Sequence, residues 1–185
     1  MEISNKRSAY DGHFKINLYD VTDRETGKSH TVECFERGDS VAAFIYDSEK
    51  QTFLFTSQFR IGSQCDLIEV VAGSMDKENE TPLDALKREL MEEIGLEIHP
   101  DEPDGTTHCH EVGNFFVSPG GTSEKIHLFI IDRIIRKSEG GGVEDEKIST
   151  IELTPEELSK KFLQGEIRDL KTAFLLQVFM SAQHQ

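Results

Sequence analysis

Three glutamates and an arginine crowd one short segment of the sequence: Arg88, Glu89, Glu92 and Glu93. Helical patterning places them in the last turns before Gly95, where the helix dipole disfavours carboxylates, so they require a compensating cation. Carboxylate oxygens on a rigid helix are hard ligands that Mg²⁺ or Mn²⁺ accepts. The segment therefore predicts a divalent metal site near a helix C-terminus.

The helix that must carry these side chains has clear end signals. Thr81 is a suitable N-cap, Pro82 fits the first helical position, and Gly95 supplies a left-handed stop. At about 100° per residue, apolar side chains fall on one stripe and the glutamates gather on the neighbouring face. We expect this stripe to hold the helix against a core. It consists of Leu83, Leu86, Leu90 and Ile94.

A solvated acidic face is the alternative interpretation, because most runs of charge are solvated. However, like charges three or four residues apart on a helix each cost roughly 0.2–0.5 kcal/mol. Two carboxylates about 6 Å apart repel by roughly 3 kcal/mol at an effective dielectric constant of about 20. Lysines would avoid this repulsion, so the position of the glutamates favours metal binding.

The wider segment resembles the signature of the Nudix hydrolases, G-x5-E-x7-R-E-U-x-E-E-x-G-U, where U is aliphatic. Six residues rather than five separate Gly73 from Glu80, but an insertion in a loop costs little closure entropy. The resemblance implies an α/β fold, an α/β/α sandwich with a mixed sheet. Nine positions match: Gly73, Glu80, Arg88, Glu89, Leu90, Glu92, Glu93, Gly95 and Leu96.

The resemblance also implies roles for these residues. The carbonyl of Ala72 and the carboxylates of Glu89 and Glu93 are expected to be the main ligands of Mg²⁺, for which Mn²⁺ could substitute. Glu92 is expected to be a nearby or shared ligand at the catalytic centre. Arg88 is expected to orient the acidic helix.

A second acidic cluster, Glu144-Asp145-Glu146, follows the triple glycine at 140–142. Triple glycine predicts a mobile hinge that lets these carboxylates close over a substrate, and a flexible hydrophilic connection is the alternative. The resemblance implies that Glu144 is the catalytic base and Glu146 a metal ligand. The three acidic residues could exchange roles.

The resemblance covers about residues 19–177 and includes motifs that imply substrate contacts. Arg60 is expected to bind a diphosphate, because a planar guanidinium suits phosphate oxygens. A surface arginine at a strand end is the alternative. The weaker candidates for substrate binding, each of which could equally form structural hydrogen bonds, are Arg37, Gln58, Glu69 and Glu124.

The likeness is to the branch of GDP-mannose hydrolases and ADP-ribose pyrophosphatases. It implies Mg²⁺-dependent hydrolysis of a nucleoside diphosphate sugar to a nucleoside monophosphate and a sugar phosphate, with ADP-ribose and GDP-mannose as leading substrates. Two departures limit the transfer. Ser57 replaces an arginine that often precedes Gln-Phe-Arg, and the segment 99–107 lengthens the connection to Pro119.

Other functions stay open. One is a Nudix pyrophosphatase for nucleoside triphosphates or dinucleoside polyphosphates, and another is an inactive Nudix-fold sensor that binds a nucleotide sugar. The complete set of signature carboxylates disfavours the sensor. A calcium-loop protein is also disfavoured, because the segment 75–81 lacks the alternating ligands and the glycine of an EF-hand.

Composition narrows the class of protein. A formal net charge of −15 excludes a binder of nucleic-acid backbones, which needs a basic surface. It does not exclude a polyanionic small substrate, because bound metal reverses the local charge.

No apolar run resembles a signal peptide or membrane span, so a cytoplasmic protein is expected. Cys34, Cys65 and Cys109 form no CxxC, and His108 and His110 are assigned no metal.

Length and composition predict one domain over 1–185. The resemblance implies that it is a Nudix domain, with dimerisation strands in about 1–40 and the catalytic core in 41–185. The predicted strands are 14–19, 30–35, 41–46, 53–57, 66–71, 108–117, 125–135 and 148–153, and the later helices are 154–163 and 169–180. The early strands would leave an exposed edge unless paired. Together with the resemblance, this predicts a homodimer that exchanges its N-terminal strands.

Overall fold

The computed structural model describes residues 1–142 and 147–182. This part of the chain contains twelve β-strands and three α-helices. In chain order they are β1 (Glu2–Asp11), β2 (Lys15–Thr22), β3 (Ser29–Glu36), β4 (Ser40–Asp47), β5 (Thr52–Arg60), β6 (Cys65–Glu69), β7 (Val71–Ser74), α1 (Pro82–Ile94), β8 (Leu96–Ile98), β9 (Cys109–Phe116), β10 (Lys125–Ile131), β11 (Ile134–Arg136), β12 (Ser149–Leu153), α2 (Pro155–Leu163) and α3 (Leu170–Ala182).

The chain divides into two compact units. The first comprises Met1–Asp39 together with Asn114–Ile126, and the second comprises Ser40–Gly113 together with the described residues from His127 onward. The sequence-based division into dimerisation strands (about 1–40) and a catalytic core (41–185) stays a prediction. The sequence did not anticipate that the segment from Asn114 would group with the N-terminal strands.

The first unit contains a three-stranded antiparallel sheet in the order β1-β2-β3. Asp20 in the central strand links both neighbours, because its carboxylate accepts hydrogen bonds from Arg7 Nη1 at 2.7 Å and from Thr31 Oγ1 at 2.8 Å. The backbone N–H of Phe35 in β3 donates to the carbonyl of Gly121 at 2.8 Å. This bond fastens the later segment of the unit to the sheet.

The second unit is built around a sheet in the order β12-β5-β4-β10-β9, with β6 paired to β5 and β7 paired to β4. The central strand β4 is almost wholly buried. Its alternate residues Val41, Ala43 and Ile45 belong to the core that includes α1, whereas the Phe44 ring packs 5.2 Å from Phe179 of α3. A strand buried on both faces is typical of a sheet covered by helices on both sides.

The predicted α/β/α sandwich is therefore confirmed. Leu86, Leu90 and Ile94 of α1 are fully buried against one face of the sheet, and Phe179 of α3 also contacts Tyr46 on the other face at 5.4 Å. Leu83, which was expected on the same buried stripe, is 38% exposed. It lies in the first turn of the helix, before the stripe reaches the core.

Several predicted strand boundaries were wrong. β1 and β8 were not predicted, and each of the predicted strands 66–71 and 125–135 is divided into two. β1 escaped prediction because all of its residues are exposed, so no face of it shows an apolar alternation. The second division falls at Asp132 and Arg133, whose backbone groups bond to His108 and His99. In the described part of the chain, no helix is long and apolar enough to cross a membrane.

Candidate functional site

Helix α1 begins and ends as its sequence predicts. The hydroxyl of Thr81 accepts a hydrogen bond from the backbone N–H of Asp84 at 3.2 Å, and Pro82 occupies the first turn. Gly95 adopts a left-handed conformation with φ of 65°. No basic side chain lies in the last turn, so Arg88, earlier in the helix, is the cation that pairs with Glu89 and Glu92.

Arg88 is the centre of the acidic network. Its guanidinium donates to Glu80 through Nε at 3.0 Å and Nη2 at 3.2 Å, and to Glu89 and Glu92 through Nη1 at 2.5 and 3.3 Å. Nη2 also donates to the carbonyl of Ser74 at 2.9 Å, which ties the helix to the end of β7. Arg88 therefore contacts carboxylates of both the helix and the loop that precedes it.

The carboxylates around Arg88 carry more negative charge than its guanidinium neutralises. Asp76 lies 3.4 Å from Arg88, so together with Glu80, Glu89 and Glu92 four carboxylates share one guanidinium. Burial raises the pKa of Glu89 above its ordinary value, because desolvation outweighs the hydrogen bond from Arg88. The hydrogen bond from Arg88 lowers the pKa of Glu80. The excess charge favours binding of a cation at Glu89 and Glu92.

Gly73 lies directly against the carboxylate of Glu89, and any side chain at this position would overlap it. The glycine belongs to β7, as does Ala72, which pairs with Ala42 of β4. Despite the additional residue in the loop before the helix, the signature glycine therefore still meets the signature glutamate. The backbone next to Ala72 in β7 therefore lies against the carboxylate of Glu89.

The end of α1 is joined to the triple glycine. Gly141 and Gly142 donate backbone hydrogen bonds to the carbonyls of Glu93 and Glu92 at 2.8 and 3.0 Å. These bonds satisfy carbonyls that a helix end leaves without intrahelical partners. The predicted hinge is therefore anchored to the helix as far as Gly142. Glu144 and Glu146 lie outside the described residues.

The carboxylate of Glu93 is buried, with the residue 7% exposed. Its charge acts on Arg60 at the end of β5. Burial alone would lower the pKa of the Arg60 guanidinium, but hydrogen bonds from Arg60 to Glu69 and the charges of Glu69, Glu93 and Asp169 raise it. Arg60 is thus held in its charged form within electrostatic reach of the acidic helix.

Glu69, a weaker substrate candidate, is a buried partner of Arg60. Its Oε2 accepts from Arg60 Nε at 2.9 Å and Nη2 at 2.6 Å, and the residue is only 3% exposed. Gln58 lies two positions before Arg60 in β5, opposite Leu67 of β6. Strand β5 therefore brings Gln58 and Arg60 to the same end of the sheet.

The two remaining substrate candidates lie in the first unit. Arg37 Nη1 is 3.7 Å from Glu124 Oε2, and the backbone N–H of Arg37 donates to the Ser123 hydroxyl at 3.0 Å. The Arg37 guanidinium also lies over the ring of Phe14, 5.5 Å from its centroid. The structure thus joins Arg37 and Glu124, which are far apart in sequence.

Sequence reasoning missed Lys171. Its Nζ lies 3.4 Å from Glu69 Oε2 and 2.8 Å from Asp169 Oδ1, so it joins Arg60 in a charge cluster around the buried carboxylate of Glu69. A signal was present, because a lysine in the first turn of a helix is disfavoured by the helix dipole unless an acidic partner lies nearby.

Comparisons with known proteins agree with this geometry. Residues 36–174 match the NUDIX domain. The GDP-mannose pyrophosphatase of Cronobacter sakazakii is 37% identical over 169 residues, covering 86% of this chain and 83% of that protein. The GDP-mannose pyrophosphatase of Salmonella arizonae is 34% identical over 178 residues, covering 90% of this chain and 87% of that protein.

A solved structure described as "Crystal structure of ADP compounds hydrolase" superposes with a TM-score of 0.77 at 16% identity. The superposition covers 98% of this chain and 95% of that chain, and it shows likeness of fold alone. Because the domain match covers most of the chain and relatives of more than 30% identity align along most of their length, the chain belongs to the Nudix hydrolase family.

Proposed function

We propose that this protein hydrolyses the diphosphate bond of a nucleoside diphosphate sugar, releasing a nucleoside monophosphate and a sugar phosphate. The observation that supports it most strongly is the acidic network on α1. There Glu89 and Glu92 share the guanidinium of Arg88 with two further carboxylates. Such excess negative charge attracts a divalent cation, which in turn attracts a diphosphate.

The donor set fits Mg²⁺, with Mn²⁺ as a possible substitute. Glu89 and Glu93 project from one rigid helix, and Ala72 offers a carbonyl from the strand that Gly73 holds against Glu89. We assign these three residues as the main ligands, with Glu92 shared and Glu146 additional. When bound, the ion supplies charge neutralisation on the phosphate oxygens and lowers the pKa of a water.

The residues of the chain then position the reactants. Arg88 keeps the acidic face in place. Glu144 accepts a proton from the attacking water while the oxygen of that water bonds to phosphorus and the bridging P–O bond breaks. What supports this assignment is that Gly142, two residues before Glu144 in sequence, donates its N–H to the carbonyl of Glu92.

Arg60 is proposed as the diphosphate contact. Its Nε and Nη2 are bonded to Glu69, which leaves Nη1 to donate to a phosphate oxygen. Glu69 then acts by holding the guanidinium in place. Gln58, and the pair formed by Arg37 and Glu124, are proposed to contact other parts of the substrate.

GDP-mannose is the first substrate to test and ADP-ribose the second. The order follows from the relatives, which are named as GDP-mannose pyrophosphatases and align along 83% and 87% of their own lengths. The departure at Ser57 removes one cation from the region of Arg60. Because this contact differs from that of the resembling branch, the preferred sugar must be found by experiment.

We also propose a homodimer formed through the sheet β1-β2-β3, in the cytoplasm. Strand β1 exposes the large apolar side chains of Ile3 and Tyr10, which are 66% and 59% exposed. A second copy would cover them and pair the free edge. Light scattering coupled to size exclusion tests this, since deletion of residues 1–11 should convert a dimer to a monomer.

A substrate panel tests the activity. The purified protein is incubated with GDP-mannose, ADP-ribose, a nucleoside triphosphate and a dinucleoside polyphosphate, with and without Mg²⁺, and the products are separated by chromatography. We expect Mg²⁺-dependent release of monophosphate and sugar phosphate from a nucleotide sugar. Cleavage of only the triphosphate or dinucleotide would replace the proposal with a different Nudix activity. Binding without turnover would identify a sensor.

A further inference from the structure

A second cluster of ligand-type side chains lies in the connection between β8 and β9. His99, Glu102 and His108 each offer one ligand atom, and these atoms lie within 4.8 Å of one another. His108 Nε2 is 3.6 Å and His99 Nδ1 3.8 Å from Glu102 Oε1. The two imidazole rings are 5.2 Å apart and nearly perpendicular. All three residues belong to the second unit.

His108 gives the cluster a buried donor that lacks a partner. The residue is 6% exposed, and among the described residues its Nε2 makes no hydrogen bond. A buried polar atom without a hydrogen bond costs free energy, so such an atom requires an explanation. Its position facing Glu102 suggests that a bound ion satisfies it.

The other ring nitrogen of His108, Nδ1, is hydrogen-bonded to a carboxylate, which is the arrangement typical of a metal-binding histidine. Nδ1 lies 2.9 Å from Asp132 Oδ1, so a neutral imidazole that donates its Nδ1–H to this carboxylate presents the Nε2 lone pair to the cluster. Metal-binding histidines commonly have such a carboxylate behind them, because it fixes the tautomer and raises ligand basicity.

The backbone fixes the spacing of the cluster. His99 donates its N–H to the carbonyl of Arg133 at 3.1 Å, and Asp132 donates its N–H to the carbonyl of His108 at 3.2 Å. Both ends of the connection are therefore fastened to the same short turn between β10 and β11. Between them, Glu102 N–H donates to the carbonyl of Thr106 at 2.8 Å, which closes the loop that carries Glu102.

We propose that His99, Glu102 and His108 bind a divalent transition-metal ion of the Zn²⁺ type, separately from the acidic helix. Two imidazoles and one carboxylate are ligands that zinc accepts, whereas Mg²⁺ prefers oxygen ligands alone. Ligand bonds of about 2.1 Å at tetrahedral angles place the donor atoms about 3.4 Å apart. The separations of the two imidazole nitrogens from Glu102 Oε1, 3.6 and 3.8 Å, are only slightly wider, and all three donor atoms lie within 4.8 Å of one another. The side chains therefore contract around the ion to close the site.

Two contacts compete with the ion and set its affinity. Arg133 Nη1 donates to Glu102 Oε1 at 2.9 Å, and His99 Nδ1 lies 2.9 Å from the carbonyl of Pro100. The ion shares the Glu102 carboxylate with Arg133, and His99 binds through Nδ1 when its proton is on Nε2. His108 is therefore the firm ligand, and the other two residues adjust to the ion.

The test measures zinc binding directly. The full-length protein carries Glu89→Gln and Glu93→Gln, which removes the two main carboxylate ligands of the acidic helix. Equilibrium dialysis with metal analysis then gives the stoichiometry and affinity of zinc binding. We expect one equivalent of Zn²⁺. His99→Gln and Glu102→Gln should each weaken binding about 10-fold or more, and Asp132→Asn about 10-fold through His108. The experiment does not depend on the proposed hydrolase activity.

His110→Gln is the matched control, because His110 lies two residues after His108 and is exposed. It should leave the affinity for zinc within about 2-fold of that of the protein that carries only Glu89→Gln and Glu93→Gln. A cobalt-substituted sample should show no intense thiolate band, since such a band would assign the ion to a cysteine and overturn the proposal. Absence of zinc uptake at micromolar concentration would also overturn it, as would His99→Gln and Glu102→Gln variants that bind zinc as tightly as the protein without these two substitutions.

Discussion

A β-carbon on Gly73 would lie 1.9 Å from the carboxyl carbon of Glu89. Gly73→Ala must therefore displace this carboxylate from its position on the acidic face. Misplacement by about 1 Å costs on the order of 100-fold in turnover, so we expect a loss of kcat of this size and weaker activation by Mg²⁺. Overpacking should also lower the free energy of unfolding by about 1–3 kcal/mol.

Gly62→Ala is the control for this substitution, because a β-carbon there meets no atom within 4 Å. It should change neither kcat nor the urea midpoint measurably. If Gly73→Ala keeps full activity at low Mg²⁺, the carboxylate position of Glu89 does not matter for the reaction.

Neutralising the buried carboxylate of Glu93 should remove most turnover while the fold stays intact. Glu93→Gln keeps the shape of the side chain but loses the charge, and loss of one aligned electrostatic group typically costs about 100-fold or more in kcat. Circular dichroism checks the fold. Glu97→Gln is the control, since Glu97 is an exposed glutamate paired with Lys137 at 3.2 Å. Near-normal rates for Glu93→Gln would remove it from the metal ligands.

The helix that carries the site could be predicted because its end signals are local. Thr81, Pro82 and Gly95 each act within a few residues, and the structure places the helix between them. The charges on its acidic face were also visible in the sequence. The sequence did not show that Arg88 would also contact Asp76 and Glu80, because these two residues reach it from the loop before the helix.

Residues that meet only in the folded chain were beyond sequence reasoning. The sequence analysis assigned no metal to His108 and His110, whereas the structure places His108 beside His99 and Glu102. The cause is the break between β10 and β11 at Asp132 and Arg133, whose backbone bonds draw both ends of the 99–108 connection together. An apolar pattern carries no information about such a break.

Replacement of Arg88 by lysine should destabilise the protein even though the charge is kept. A lysine cannot reproduce the separate hydrogen bonds to Glu80, Glu89 and the Ser74 carbonyl. Breaking a largely buried ionic network costs about 3 kcal/mol, which urea denaturation would detect. Mg²⁺ should restore part of this loss, because it neutralises the same carboxylates. Arg24→Lys, at an exposed pair with Glu2, should have no effect.

Glu144→Gln should lower kcat much more than it changes KM, because a general base acts on the transition state and not on substrate binding. Steady-state kinetics with the substrate identified by the panel gives both constants. The same measurement on Glu146→Gln should instead raise the Mg²⁺ concentration needed for half activation. Glu139→Gln, at an exposed position before the triple glycine, should behave like the wild type. A pure KM effect for Glu144→Gln would transfer the role of base to another residue.

The carboxylate of Asp20 should titrate at unusually low pH. Its hydrogen bonds with Arg7, and then with Thr31 and Asn5, lower its pKa from 3.8 to about 2. Because the folded pKa lies below the unfolded one, its stabilising effect on the sheet β1-β2-β3 is complete above pH 3.8 and is lost as the pH falls through about 2. Carbon-detected NMR of the side-chain carboxyl measures the midpoint directly. Arg7→Gln should raise that midpoint toward 3.8, whereas Arg24→Gln should leave it unchanged, and an equal shift in both would point to overall charge instead of the cross-strand contact.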